Sequence, residues 1–295
     1  MADYAFSLVN VFGQTAFGGN PLCVFEDARG LTDENMQALA VQFNLSETAF
    51  ILPPTGDATA RVRIFTPMTE LPFAGHPALG TAHVLRDLLA CGDTIKLEMR
   101  AGLVALEARQ DDWVFTAPMP QGGPRTARPL AGKADIAAML GLSVDDLLDE
   151  PLWVNTGSEQ LLVPVKTPDI VRRVQPDPSQ MARWPVSAAG RRNAYVFAPV
   201  ESAGPTRFGQ RALARYFMAK PGSGVDEDPG TGSACANLGG WLIATGRELP
   251  THVKVEQGAS IGRPCLLQLE VKRDQTIRVG GRVMTLGRGT ISLQP

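Results

Sequence analysis

Apolar residues in this chain fall in short runs broken by glycine and proline, a pattern of many brief strands rather than a few long helices. β-Branched and aromatic runs predict strands at Phe6–Phe12, Leu22–Phe25, Thr48–Leu52, Arg61–Phe65, Ile95–Met99, Val104–Ala108 and Val114–Ala117. Six more follow at Leu161–Val165, Tyr195–Ala198, Leu213–Met218, Val253–Glu256, Leu266–Val271 and Thr276–Val279. Helical spacing is confined to four stretches. The first runs from Thr32, a suitable N-cap, through Met36, Leu39, Ala40 and Phe43; the others span about 77–89, 133–140 and 231–244. Strands and helices do not alternate regularly, so the class is α+β, with antiparallel sheets wrapping one or two helices.

A chain of 295 residues exceeds what one core ordinarily serves, which predicts two domains. An internal repeat suggests how they relate. His76-Pro77-Ala78-Leu79-Gly80-Thr81-Ala82 and Asp228-Pro229-Gly230-Thr231-Gly232-Ser233-Ala234 share x-Pro-x-x-Gly-[Ser/Thr]-Ala, and each opens a predicted helix. Ala60–Phe65 has a looser counterpart in Ala214–Ala219. The halves read as duplicates over about 1–118 and 128–280, with the last strand, near Thr290–Leu293, expected to return to the first half and bring 281–295 with it.

Composition narrows the partners. With 28 Lys and Arg against 30 Asp and Glu, and aromatics not interleaved with basic residues, no surface is predicted to neutralise many phosphates, so no nucleic acid is expected. No apolar run approaches the length of a membrane span, and Asp3 stands where a secretory signal would carry Lys or Arg, so no membrane association and a cytoplasmic location are expected. Cys23, Cys91, Cys235 and Cys265 form no Cys-x-x-Cys pair, and His76, His83 and His252 show no ligand spacing; no metal and no cofactor are expected.

The two repeated turns carry the candidate chemistry. First-turn N–H groups of a helix lack intrahelical partners and the macrodipole adds positive character, so each turn can hold a carboxylate or a developing oxyanion. Gly75, Gly80, Gly230 and Gly232 would let a ligand approach, and Thr81 and Ser233 would offer hydroxyls at the same point. The plainer reading is that these residues merely shape and cap turns; two matching turns in duplicated halves favour a small ligand in an interdomain cleft. A nucleotide is disfavoured, because Gly230-Thr231-Gly232-Ser233 lacks a following Lys-[Ser/Thr]. Titratable groups nearby are few: Glu47, at the mouth of an apolar strand, and His76 and Asp228, at the head of the turns. A glutamate at a strand end is ordinarily a solvated charge; apolar Leu45, Ala49 and Phe50 leave room for a partly buried carboxyl with a raised pKa suited to a general base.

Several segments carry a family resemblance. Phe17-Gly18-Gly19-Asn20-Pro21-Leu22, Phe43–Phe50, Arg63-Ile64-Phe65-Thr66-Pro67, Glu70–Pro77, Asp228–Ala234 and Gln257–Pro264, in this order and across nearly the whole chain, resemble the PhzF family of phenazine-biosynthesis-like isomerases. The resemblance implies a diaminopimelate-epimerase-like fold of two similar halves, each a curved, barrel-like antiparallel sheet around a central helix, and a homodimer. It also implies an acid/base carboxylate at Glu47, with His76, Asp228 and Ser233 positioning a substrate beside Gly75, Gly232 and Asn20. In the phenazine enzyme it brings in, the glutamate moves a proton within a dihydro-hydroxyanthranilate ring, without metal or cofactor. Cofactor-independent epimerases of similar fold use two cysteines, whose places here correspond to Ala74 and Pro229; neither carries a proton. A non-catalytic binding protein on the same fold is the third reading. Pocket walls are expected from loops 157–160 and 202–210.

Overall fold

The computed structural model describes residues 2–200, 210–220 and 224–293; of the 202–210 loop, all but Gln210 lies outside the described residues. The chain divides into two compact units, Met1–Thr116 with Gly280–Pro295, and Ala117–Val279. No helix among the described residues is long and apolar enough to cross a membrane.

In the first unit, β1 (Ala2–Val11) pairs antiparallel with β2 (Asn20–Phe25), and α1 (Asp33–Phe43) leads to β3 (Glu47–Leu52), parallel to β2. Thr32 caps α1 as its sequence predicts, in a capping box with Asn35. β4 (Ala60–Phe65) runs antiparallel to β3, and a short β5 (Glu70–Leu71) feeds α2 (Gly75–Leu89). β6 (Thr94–Met99) then lies parallel to β4 and begins an antiparallel meander with β7 (Gly102–Arg109) and β8 (Asp112–Thr116).

The second unit comprises β9 (Arg125–Ala127), α3 (Lys133–Met139), β10 (Leu152–Asn155), β11 (Glu159–Pro164), α4 (Pro168–Arg173), β12 (Asn193–Val200), β13 (Gln210–Lys220) and β14 (Gly224–Asp228), then α5 (Gly232–Ala244), β15 (Thr251–Gln257) and β16 (Cys265–Val271). The final strand β17 (Ile277–Leu293) contributes its first residues to this unit and the rest to the first unit, where it pairs with β1 and β8. Those pairings close the first unit into an eight-strand barrel in the order β17, β1, β2, β3, β4, β6, β7, β8.

Each unit wraps its sheet around one helix. α2 packs against β1, β2, β3, β6, β7 and β8, and α5 against β10, β11 and β16; the run Gly75–Ala82 is buried, as is Ala234–Leu242. The duplication is visible in the ladders. From β17 to β7 the pairings run antiparallel, antiparallel, parallel, antiparallel, parallel, antiparallel, and from β9 to β16 the order is the same. Most ladders are antiparallel as the sequence suggests. The parallel ones arise where a helix carries the chain across the sheet before the next strand pairs, a crossover that a two-residue turn cannot make.

Superimposing equivalent pairings revises the register of the repeat. Phe50 lies opposite Arg63 and Val196 opposite Arg215, so β4 and β13 align with an offset of 152, not the 154 read from sequence. The helix starts align Ala74 with Thr231, an offset of 157. The equivalent residues then share Ala-x-x-Arg-x-Phe (60–65 and 212–217) and Glu-x-Pro-x-x-Gly (70–75 and 227–232). His76 therefore corresponds to Ser233 rather than Asp228. The sequence match at 76 and 228 was a coincidence of Pro and Gly spacing, because the second hairpin is five residues longer.

Enclosure makes the central helix intolerant of added volume. A Cβ at Gly80 would lie 2.5 Å from Leu22 Cδ2 and 3.1 Å from the Cγ2 atoms of Val9 and Val11, all in buried residues. Gly80→Ala is expected to lose about 1–3 kcal/mol of stability through overpacking, although alanine is the better helix former by about 1 kcal/mol. Gly92→Ala, with nothing within 4 Å, should change little. Urea unfolding followed by tryptophan fluorescence measures both.

Candidate active site

Glu47 is the first residue of β3, placed there by the end of α1, where Asn44 turns the chain in the left-handed region (φ 50°) and its N–H donates to the Ala40 carbonyl. The carboxyl is largely buried, and its Oε2 lies 3.5 Å from Nε2 of His76, the second residue of α2. His76 is buried; its Nδ1 lies 3.4 Å from the Asn20 amide nitrogen, and the ring also hydrogen-bonds the Pro21 backbone. Desolvation pushes the imidazole down to about 3, more than the Pro21 contact offsets, so the ring is neutral at physiological pH. Asn20, fully buried, opens β2 directly after Gly19, which has φ +84° and where a Cβ would meet the Gly13 N and Val11 O at 2.8 Å. Only glycine fits there, which accounts for the Gly-Asn-Pro segment.

The sequence thus brings Glu47, His76, Gly75 and Asn20 together, but not Thr81 or Gly80. The Thr81 hydroxyl is fully buried six residues beyond the start of α2, and Gly80 serves the close packing described above. Both lie too far along the helix to present donors at its first turn; the register error explains the expectation.

In the second unit, Asp228 ends β14 and is buried, and its Oδ2 accepts a short hydrogen bond from the Thr231 hydroxyl. Gln257 braces this turn: its Nε2 donates to the Asp228 carbonyl at 2.9 Å and to the Thr231 hydroxyl at 3.0 Å, and its Oε1 accepts from the Thr231 N–H at 3.3 Å. Gly258, at φ +80°, follows; a Cβ there would lie 2.4 Å from the Pro229 carbonyl. Neither α2 nor α5 has a side-chain hydrogen bond at its N-cap, Ala74 and Thr231 respectively. Gly232 and Ser233 open α5, and the half-buried Ser233 Oγ accepts from Gln160 Nε2 at 3.1 Å.

Gln160 is held in one orientation. Asn237, fully buried, accepts from the Thr156 N–H at 2.8 Å and hydroxyl at 2.7 Å, and donates to the Ser158 carbonyl and to Gln160 Oε1. With its oxygen engaged, the Gln160 amide turns its N–H groups to Ser233 and Ser158. Ser233 therefore keeps its own hydrogen to donate outward. Gln160, Asn237, Thr231 and Gln257 escaped the sequence reading as site residues. Only loop 157–160, read as a pocket wall, and the Gln257-Gly258 segment pointed toward them. Cys23 and Cys235 are buried free thiols that desolvation pushes well up, consistent with packing roles.

Comparison with known proteins agrees with this architecture. The model of the PhzC-PhzF family, described as phenazine biosynthesis-like protein, matches residues 9–289. The chain is 40% identical to an uncharacterized isomerase of Pasteurella multocida, over 99% of this chain and 95% of that protein. It is 35% identical to the trans-2,3-dihydro-3-hydroxyanthranilate isomerase of Pseudomonas fluorescens, over 97% of this chain and 98% of that one. The crystal structure of a Bacillus anthracis phenazine biosynthesis protein of the PhzF family has the same fold, with a TM-score of 0.84 at 23% identity, covering 99% of this chain and 100% of that one. A family match over nearly the whole chain, and a relative at 40% identity covering almost all of it, place this protein in the PhzC-PhzF family of phenazine biosynthesis-like proteins.

Proposed function

We propose that this protein is an isomerase that shifts a proton within a small carboxylate substrate, with Glu47 as the acid/base. The observation that carries the reading is the Glu47 carboxyl 3.5 Å from a buried, neutral His76. An imidazole with its pKa near 3 does not compete for a proton at neutral pH, so the carboxylate is the base, with the neutral ring facing it at 3.5 Å. The proton leaves a substrate carbon for Glu47 and returns from Glu47 to another carbon of the same conjugated system, leaving the enzyme unchanged.

The first turn of α5 suits the substrate carboxylate: its helix-terminal amides and the outward-donating Ser233 hydroxyl favour negative charge. Asp228, oriented by Thr231, suits a substrate amine or hydroxyl as an acceptor. A partner role for a protonated His76, one way of tolerating Asp228 near an anion, is disfavoured by the neutral ring. The similarity to the trans-2,3-dihydro-3-hydroxyanthranilate isomerase supports a cyclic amino-carboxylate as the first substrate to try. A two-thiol epimerase is not favoured, since the corresponding positions hold Ala74 and Pro229, neither of which carries a proton.

Incubation of the purified protein with trans-2,3-dihydro-3-hydroxyanthranilate in deuterated water, followed by NMR, is expected to show isomerisation, with Glu47→Gln slower by about 10²–10⁴ and still folded. A Glu47→Gln protein with unchanged turnover removes the carboxylate from the mechanism; binding without turnover by the natural chain favours the non-catalytic reading. Calorimetric titration with 3-hydroxyanthranilate is expected to show moderately weaker binding for Ser233→Ala and nearly none for Gly232→Val, and an unaltered affinity in Gly232→Val would move the carboxylate elsewhere.

The His76 shift also sets a pH dependence of stability. Between about 3 and 6.5 the unfolded chain binds a proton on this ring that the folded chain does not, so this contribution is complete above pH 6.5 and is lost as pH falls toward 3. Urea midpoints measured from pH 7 to pH 4 should fall less steeply for His76→Asn than for the natural chain; parallel slopes would mean that the ring takes up a proton in the folded state.

A further inference from the structure

The hairpin that leads to each central helix carries an ion pair that the proposed chemistry leaves unused, and it is the same pair in both units. Arg63 on β4 makes a two-pronged contact with Glu70 on β5, Nε to Oε1 and Nη2 to Oε2, both at 2.9 Å. Arg215 on β13 makes the same contact with Glu227 on β14, at 3.0 and 2.7 Å. Each guanidinium lies over the phenylalanine two residues on, 5.0 Å from the Phe65 ring centre and 4.7 Å from that of Phe217. The remaining nitrogen of each fork holds an outer helix: Arg63 Nη1 bonds Asp33 of α1 at 2.5 Å, and Arg215 Nη1 bonds the Val174 carbonyl beyond α4 at 2.7 Å. Both glutamates stand four residues before the N-cap of the central helix.

We propose that Arg63–Glu70 and Arg215–Glu227 are positioning clamps for the first turns of α2 and α5, fixing Gly75–His76 and Gly232–Ser233 in the arrangement that the substrate meets. Sparing a pair of charges from water costs about as much as their attraction returns, so a pair this enclosed adds little net stability, and an apolar pair would serve folding as well. What a two-pronged arginine contact supplies is direction. Neither helix start is anchored by a side chain of its own N-cap, and each glutamate stands four residues before that cap, so the clamp fixes the strand end from which each turn departs; at α5 it acts together with the Gln257 brace. The repeat points the same way: Arg, Phe, Glu and Gly recur at equivalent positions, whereas the residue after the glycine differs, His76 in one unit and Ser233 in the other. The framework is common and the functional group is not.

Native-state hydrogen exchange tests this without a substrate. The Ala78 amide donates to the Ala74 carbonyl at 3.2 Å and the Cys235 amide to the Thr231 carbonyl at 3.0 Å, so the two report the first turns. Arg63→Lys keeps the charge but not the fork and should speed exchange at Ala78 by about 10-fold or more, with Cys235 unaltered; Arg215→Lys should do the reverse. Amides of β7 and β16 in the respective units should keep their rates. The kinetic arm rests on the proposed function: with trans-2,3-dihydro-3-hydroxyanthranilate, Arg63→Lys is expected to lower kcat by about 10-fold or more and Arg215→Lys chiefly to raise KM, because the first clamp orients the acid/base side and the second the anion side. The paired change Arg215→Met with Glu227→Leu should keep the melting temperature and still loosen Cys235; if that pair fails to fold, the lysine variants decide alone. Unaltered exchange at both reporters, or exchange raised equally through the whole unit, overturns the clamps. Local loosening with no turnover even by the natural chain would leave the clamps standing and count against the substrate.

Discussion

The enclosure of one helix by a sheet in each unit is the constraint on which the rest depends. A helix surrounded by strands must be apolar and slender on nearly every side. The chain meets this with Gly75, Ala78, Gly80 and Ala82 in α2 and with Ala234, Ala236, Gly239 and Gly240 in α5. At Gly240, a Cβ would already lie 2.8 Å from Thr156 Cγ2 and 2.9 Å from Val154 Cγ1. A helix so held cannot slide or tilt to satisfy its own ends. Its unpaired first-turn amides are delivered to a fixed place, and the ordinary remedy of a capping side chain is missing at both. The cost of two uncapped termini is intelligible where a ligand supplies the acceptor.

At the start of α5, buried polar groups have their hydrogen bonds arranged beforehand. Asn237 gives and receives two bonds each, and its saturation is what orients Gln160 and, through it, Ser233. Gln257 plays the same part for the turn from Asp228 to Thr231. His76 is the opposite case. It is buried without a full set of strong partners, and desolvation settles it in the neutral form. Fixed donors in one unit and a neutral ring beside a carboxyl in the other give each turn a distinct chemical character on a common scaffold.

Much of this was legible in the sequence, and the failures have physical causes. The helices were readable because their apolar positions recur with helical spacing and Thr32 caps the first. Whether two strands run parallel is not written in a period-two pattern, so the crossovers through α1 and α4 were missed; α4, at six residues, is too short for its periodicity to register. β5 and β9, at two and three residues, are likewise too short to stand out. The duplication was detectable, but its register was misread because a loop five residues longer lies between the aligned blocks. Gln160 and Asn237 were invisible as site residues, since the partner that gives Gln160 its meaning lies 77 residues along the chain and nothing local signals it.

The corrected register bears on the kind of chemistry this scaffold carries. In the ladders, Phe50 and Val196 hold equivalent places opposite Arg63 and Arg215, which sets Asn193 where the first unit has Glu47. Asn193 is buried, and its side chain is bound to backbone: Oδ1 accepts from the Leu161 N–H at 3.2 Å and Nδ2 faces the Glu159 carbonyl at 3.5 Å. At this matched pair of positions one unit has a carboxyl and the other an amide that does not exchange a proton near neutral pH. The duplicated ladders therefore carry the same backbone frame with different side-chain chemistry: the amide is spent on fixing its own strand, while the carboxyl of Glu47 faces the His76 ring at 3.5 Å.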